Sequence, residues 1–291
     1  MALAAGNETN ERRFCWEQVL RTNRLFRISQ VFAPKELSAR LLPLYALFGA
    51  VEEICSEHSD SEVARHKLDW WRSEVAQLDR RGSNHPVLRE LLNTGAWDAL
   101  RSDSLGRFFD GARARLDPAS PARIEDLHEQ CRRLSEPRFE LELSLSGGGP
   151  ELPHSVSALA VTSGLAQLVR EARRRPAAAG YWWLPLSMMA QHGVSRADIA
   201  PGAAAPSVQA LLRDLIDACR AWSPSADSRA EPRRMPTPDS ARHLVVIGQL
   251  QAQALGRLRP ADPGQFEAEL NRVGLAQLYQ AWRAARQVNR P

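Results

Sequence analysis

The segment from Glu36 to Glu57 is apolar on nearly every side: Leu41, Leu42, Leu44, Tyr45, Leu47, Phe48 and Val51 leave no polar stripe. A helix of that kind cannot face water, so other elements must enclose it. Pro43 lies inside it and removes a backbone donor, which predicts a kink. The enclosing elements must themselves be helices. No pair of alternating segments joined by a tight turn is present, and the β-branched run Val245-Val246-Ile247 falls within a helical pattern. The sequence therefore predicts an all-α fold in a single domain.

The partners of the central helix can be read along the chain. From Glu11 to Gln30, Trp16, Val19, Leu20, Leu25 and Phe26 recur at helical steps until Pro34. Ser59 with Glu62 forms a capping box for a helix to about Arg81, with Leu68, Trp71, Val75 and Leu78 on one face. Shorter helices are predicted from His85-Pro86 to Leu92 and from Ser104 to Leu116. Ser120-Pro121 reads as the start of a long helix that the run Gly147-Gly148-Gly149-Pro150 stops. Further helices are expected over Pro153–Arg175, Leu186–His192 and a stripe from Val208 to Trp222, then at about 239–258 and 263–288. The segment Ser223–Asp239, rich in Pro, Ser and charge, reads as a flexible loop inside a domain spanning 11–290, and residues 1–10 as a disordered N-terminus.

Charge and cysteine content narrow the function classes. The net charge is +4 and the pI about 9.2. The cations are not gathered into a stripe with interleaved aromatics, so nucleic acid is not an expected partner. A weak attraction to anionic lipid headgroups, giving peripheral contact with the inner membrane surface, fits the charge. The four cysteines, Cys15, Cys55, Cys131 and Cys219, are scattered through apolar patterns without metal spacing, and read as small buried hydrophobes of a reducing compartment. No secretory signal opens the sequence, and no segment approaches the ~20 apolar residues of a membrane span, so a cytoplasmic location is expected.

Chemistry concentrates at the end of the central helix. Glu53 and Glu57 stand one turn apart and Glu52 lies beside them. Magnesium binds hard oxygen donors, commonly one or two carboxylates plus substrate phosphate and water. Glutamates near a helix end are also ordinary solvated residues, and spacing alone leaves both readings open.

The stretch from Tyr45 to Arg72 resembles the first signature region of the squalene/phytoene synthase family. Tyr45-Ala46-Leu47 stands for the family's Tyr-Ala-Phe opening and Glu52-Glu53 for its adjacent aspartates. Ala64, Lys67-Leu68 and Trp70-Trp71-Arg72 stand for its later signature. His85-Pro86-Val87, Leu184-Pro185 and His192-Gly193-Val194-Ser195 follow in the family's order. The resemblance implies an orthogonal helical bundle of the isoprenoid-synthase type around a central apolar cavity. It implies Glu52, Glu53 and Glu57 as catalytic carboxylates, and these with Glu171 as magnesium ligands. It implies Tyr45, Gln167 and Trp183 as substrate-binding residues, the last at the cavity mouth; Arg170 and Arg173 depart from the family, and as guanidinium groups that bind phosphate without a metal they are the candidates to hold a diphosphate.

The departures are as informative. The family's third aspartate is Ser56, and its arginine before the aspartate pair is Gly49. The second aspartate-bearing helix corresponds to Gly164–Pro176, where Arg170 falls at the family's Asn, Arg174 or Ala172 at its first Asp and Pro176, Ala177 or Ala178 at its later acidic pair, so only Glu171 could ligate a metal. Ionising an allylic diphosphate requires cations held by carboxylates on both sides of the leaving group. The expectation is thus a family member with impaired or lost prenyl transfer, which binds an isoprenoid or other lipid or acts as an assembly-type factor. The spacing near Gly164 is similar to that of the mitochondrial complex I assembly factors of this fold. The alternative is a magnesium-dependent prenyltransferase condensing farnesyl or geranylgeranyl diphosphate. A pure interaction module whose cavity is filled by side chains is the third reading.

Overall fold

Among the described residues the chain forms helices and turns only. The computed structural model describes residues 9–57, 60–117, 119–149, 151–174, 183–199, 205–222, 241–256 and 275–287. Its α-helices are α1 (Asn10–Thr22), α2 (Phe26–Ser29), α3 (Lys35–Glu57), α4 (Ser61–Arg81), α5 (Pro86–Asn93) and α6 (Ser102–Ala114). They continue as α7 (Ile124–Leu145), α8 (His154–Arg174), α9 (Leu186–Gln191), α10 (Pro206–Arg220), α11 (Arg242–Gly256) and α12 (Leu275–Gln287). The loop expected at Ser223–Asp239 lies outside the described residues.

α3 is the enclosed helix the sequence predicts. It packs against α1, α4, α5, α6, α7 and α8. Leu41, Leu42, Leu44, Tyr45, Leu47, Phe48 and Val51 are all buried. Each such side chain contributes about 1.5–3 kcal/mol by leaving water. The helix runs through Pro43. On the other side α7 packs along α8, and α8 packs on α11, which in turn holds α12.

Several boundaries differ from expectation for local physical reasons. α1 starts at Asn10, capped by the Thr9 side chain, inside the stretch expected to be disordered. It ends at Thr22 rather than running to Gln30. Asn23 leaves helical geometry, and the chain turns so that the Phe26 ring packs tilted against Tyr45, with centroids 4.4 Å apart, and lies 5.9 Å from Trp16. The cap of α4 is Asp60, whose carboxylate accepts from the Glu62 and Val63 amides. α7 begins at Ile124, not at Pro121, with the Asp126 carboxylate accepting from the Arg123 amide. The Pro121 and Ala122 carbonyls accept instead from the Leu186 and Ser187 amides at 2.9 and 3.0 Å, which satisfies the opening turn of α9. All four cysteines are free and buried, as expected.

Candidate functional site

Four helical faces and one helix end converge on a cleft that holds about 430 Å³ of empty space, part of it open to solvent. α3 contributes Tyr45 and Glu52, two turns apart and so on one face. α7 contributes Ser135, Arg138, Phe139 and Glu142 at three- and four-residue steps. α8 adds Ser163 and Gln167, α11 adds Ile247 and Gln251, and Asn23 closes the rim from the end of α1.

Two glycines let these elements approach closely. A Cβ at Gly164 would come within 2.4 Å of the Cys131 carbonyl oxygen, so α8 lies directly on α7. A Cβ at Gly49 would come within 2.4 Å of Thr22 Oγ1. The resemblance expects an arginine at Gly49. Here the end of α1 occupies that space.

The cleft floor holds two polar groups of contacts. In the first, Arg138 Nη1 donates to Gln167 Oε1 at 3.1 Å and lies 3.7 Å from Glu52 Oε2. Its guanidinium carbon sits 4.7 Å above the centre of the Phe48 ring. One side chain from α7 thus bridges α3 and α8. In the second, the Tyr45 hydroxyl donates to Glu142 Oε2 at 2.7 Å, and His243 Nε2 lies 3.4 Å from the same oxygen. Burial pushes the Tyr45 hydroxyl well above the usual tyrosine range, and the Glu142 charge pushes it further. Tyr45 is therefore a neutral hydrogen-bond donor at ordinary pH. Ser163 donates across the cleft to Gln251.

The expected site residues separate in space. Glu52, Tyr45 and Gln167 meet in the cleft. Glu53 turns to α1 instead, where Gln18 Nε2 donates to it at 2.7 Å and Arg21 Nε lies 3.3 Å away. Ser56, one turn beyond Glu52, directs its hydroxyl to the Glu53 carbonyl at 3.5 Å. Trp183 is buried in a core with residues of α7, α8, α9 and α10, and its indole nitrogen has no hydrogen-bond partner among the described residues. Glu57 ends α3, and Arg170, Glu171 and Arg173 sit on the last turns of α8. Their side chains lie outside the described residues. Among the described residues, no three His, Cys, Asp or Glu side chains come together as metal ligands.

The cleft also departs from the apolar cavity expected, since polar side chains dominate its described walls. Sequence reasoning missed Arg138, Glu142 and His243. The signal was available for two of them. Ser135, Arg138 and Glu142 repeat at helical steps beside Leu134, Leu141 and Leu145, which puts polar groups next to a buried face.

This geometry belongs to a known architecture. A crystal structure of a dehydrosqualene synthase in complex with ligand superposes with a TM-score of 0.64 at 17% identity, covering 95% of each chain. A crystal structure of squalene synthase HpnC from Alicyclobacillus acidocaldarius gives a TM-score of 0.61 at 19% identity, covering 96% of this chain and 94% of the other. These likenesses show the fold. No curated protein matches the sequence. No helix among the described residues is long and apolar enough to cross a membrane. The sequence model of the squalene/phytoene synthase family matches residues 21–278, and the chain belongs to that family.

Proposed function

We propose that this chain keeps the squalene/phytoene synthase fold as a binding protein for an isoprenoid or other lipid, without magnesium-assisted prenyl transfer. The observation that carries this reading is the Arg138 guanidinium set between Glu52 of α3 and Gln167 of α8. A metal that assists departure of a diphosphate needs carboxylates with free lone pairs facing the cleft. Glu52 faces Arg138, Glu53 faces Gln18 and Arg21, and Ser56 offers no charge. These described donors do not fit a magnesium ion. A guanidinium already offsets the carboxylate that would recruit one.

The chemistry left to the cleft is polar recognition. Tyr45 is held as a donor to Glu142, and Gln167 is held by Arg138. Such groups orient a ligand but do not stabilise a pyrophosphate leaving group. The test is incubation of the purified, folded protein with farnesyl or geranylgeranyl diphosphate and magnesium, followed by extraction and chromatography. No product above the protein-free level is expected. Robust conversion to presqualene diphosphate, squalene or phytoene would overturn the proposal. A companion variant, Glu53→Gln, identifies the route of any turnover, because loss of that turnover would assign it to the carboxylates of α3.

A further inference from the structure

α12 is built inside out. The residues it turns inward are mostly small: Ala281, Ala284 and Ala285 are buried together with Gln277. Its large side chains face water. Leu278 is 45% exposed, Tyr279 59% and Trp282 46%. The Tyr279 and Trp282 rings stack with centroids 6.0 Å apart, and the Arg286 guanidinium lies 4.6 Å over the Trp282 ring. Arg283 is exposed on the same side. Helix geometry makes these residues one continuous face, because they follow steps of one, three and four.

Neither burial nor charge pairing accounts for this face. The helix contains no Asp or Glu. The arginines of α4, α6 and α7 behave differently: Arg72 pairs with Asp110, Arg107 with Glu140 and Arg132 with Glu129. No carboxylate pairs with Arg283 or Arg286 among the described residues. α12 packs beside α2, which brings exposed Arg27 to the neighbouring element. Trp and Tyr, with an apolar body and a polar edge, are the side chains that settle at the lipid headgroup level, and arginine reaches from there to phosphate. We propose that the outer face of α12 docks the protein on an anionic phospholipid bilayer, with Trp282, Tyr279 and Leu278 entering the headgroup layer and Arg283 and Arg286 contacting lipid phosphates.

The test is vesicle co-sedimentation of the full chain. Vesicles of phosphatidylcholine alone are compared with vesicles containing phosphatidylglycerol, at low and moderate salt. Binding is expected to the anionic vesicles, weakening as salt rises. Each arginine near such a surface is worth roughly fivefold in partitioning, so Arg283→Gln with Arg286→Gln should lower it about 25-fold. Tyr279→Ala with Trp282→Ala should lower it by on the order of tenfold through lost apolar insertion. Trp70→Ala, which removes a similarly exposed indole from α4, should leave it unchanged. Because the α12 side chains are largely exposed, both double variants should stay folded, with the melting temperature lowered by no more than a few degrees through the lost Arg286–Trp282 contact. Absence of binding to anionic vesicles at low salt would overturn the proposal, as would binding that survives both double variants. Self-association in sedimentation velocity that the Tyr279/Trp282 variant abolishes, without vesicle binding by the wild type, would reassign the face to a second copy of this chain.

Discussion

Replacing Arg138 by Met removes the cation of the cleft while keeping most of the side-chain stem. Glu52 would then face the cleft without its guanidinium, and Gln167 would lose its donor. Breaking a buried ion pair by deleting one partner typically costs about 3–5 kcal/mol. The 3.7 Å separation and the partial exposure of Arg138, 17%, place this pair at the low end of that range. Loss of the guanidinium over Phe48 adds about 0.5–1 kcal/mol. The expected total is roughly 3.5–4 kcal/mol, which at ~2.1 cal/mol/K of unfolding entropy per residue lowers the melting temperature by roughly 6 °C. The assay is urea unfolding followed by circular dichroism for wild type, Arg138→Met, Glu52→Gln and the double variant. Adding Glu52→Gln to Arg138→Met removes the orphaned charge and should recover at least ~1.5 kcal/mol, well above the additivity error of about 0.5 kcal/mol. A coupling energy below that error would refute the assignment of Arg138 as the charge partner of Glu52.

Three further predictions come from other parts of the fold. His85 Nδ1 accepts from the Val87 amide at 3.2 Å and so caps α5, and burial among the Trp70 and Trp71 rings lowers its pKa from 6.5. The folded state therefore favours neutral His85: its stabilisation is complete above about pH 6.5 and is lost as pH falls through and below that value. His85→Asn should keep the cap and flatten the dependence of urea stability between about pH 7.5 and 5, and an unchanged slope would rule His85 out as its source. Gly164→Ala must push α8 off the Cys131 carbonyl and should cost about 1–3 kcal/mol or more. Gly106→Ala in α6 meets nothing within 4 Å and should stabilise by ~0.5–1 kcal/mol, so thermal melts should move in opposite directions. Burial pushes the Cys15 and Cys219 thiols up to about 12, so Ellman's reagent at pH 8 should react with them only at the rate of unfolding.

The fold was legible because α3 announces itself. A helix apolar on all sides must be enclosed, and the apolar stripes of α1 and α4 mark two of the helices that enclose it. Helix ends were less legible where a distant group decides them. Pro121 looks like the first residue of a helix, but its carbonyl is required by Leu186, far along the chain. Within the cleft, Tyr45, Glu52 and Gln167 were found because each sits in a motif. Glu53 was placed beside Glu52 by adjacency, yet neighbouring helix positions point about 100° apart, and that rotation turns it to Gln18 and Arg21. Arg138 belongs to no motif. Its spacing with Ser135 and Glu142 marks a polar strip beside a buried face, but its partners Glu52 and Gln167 follow from α7 lying between α3 and α8, a juxtaposition that local sequence does not encode.

A cation carried on a side chain differs from a dissolved ion in its thermodynamics. Arg138 is tethered by its own backbone, so its presence beside Glu52 is independent of ion concentration and sheds no tightly held hydration shell. Chelators have nothing to extract from that position, and swings in cellular divalent-ion supply leave its occupancy unchanged.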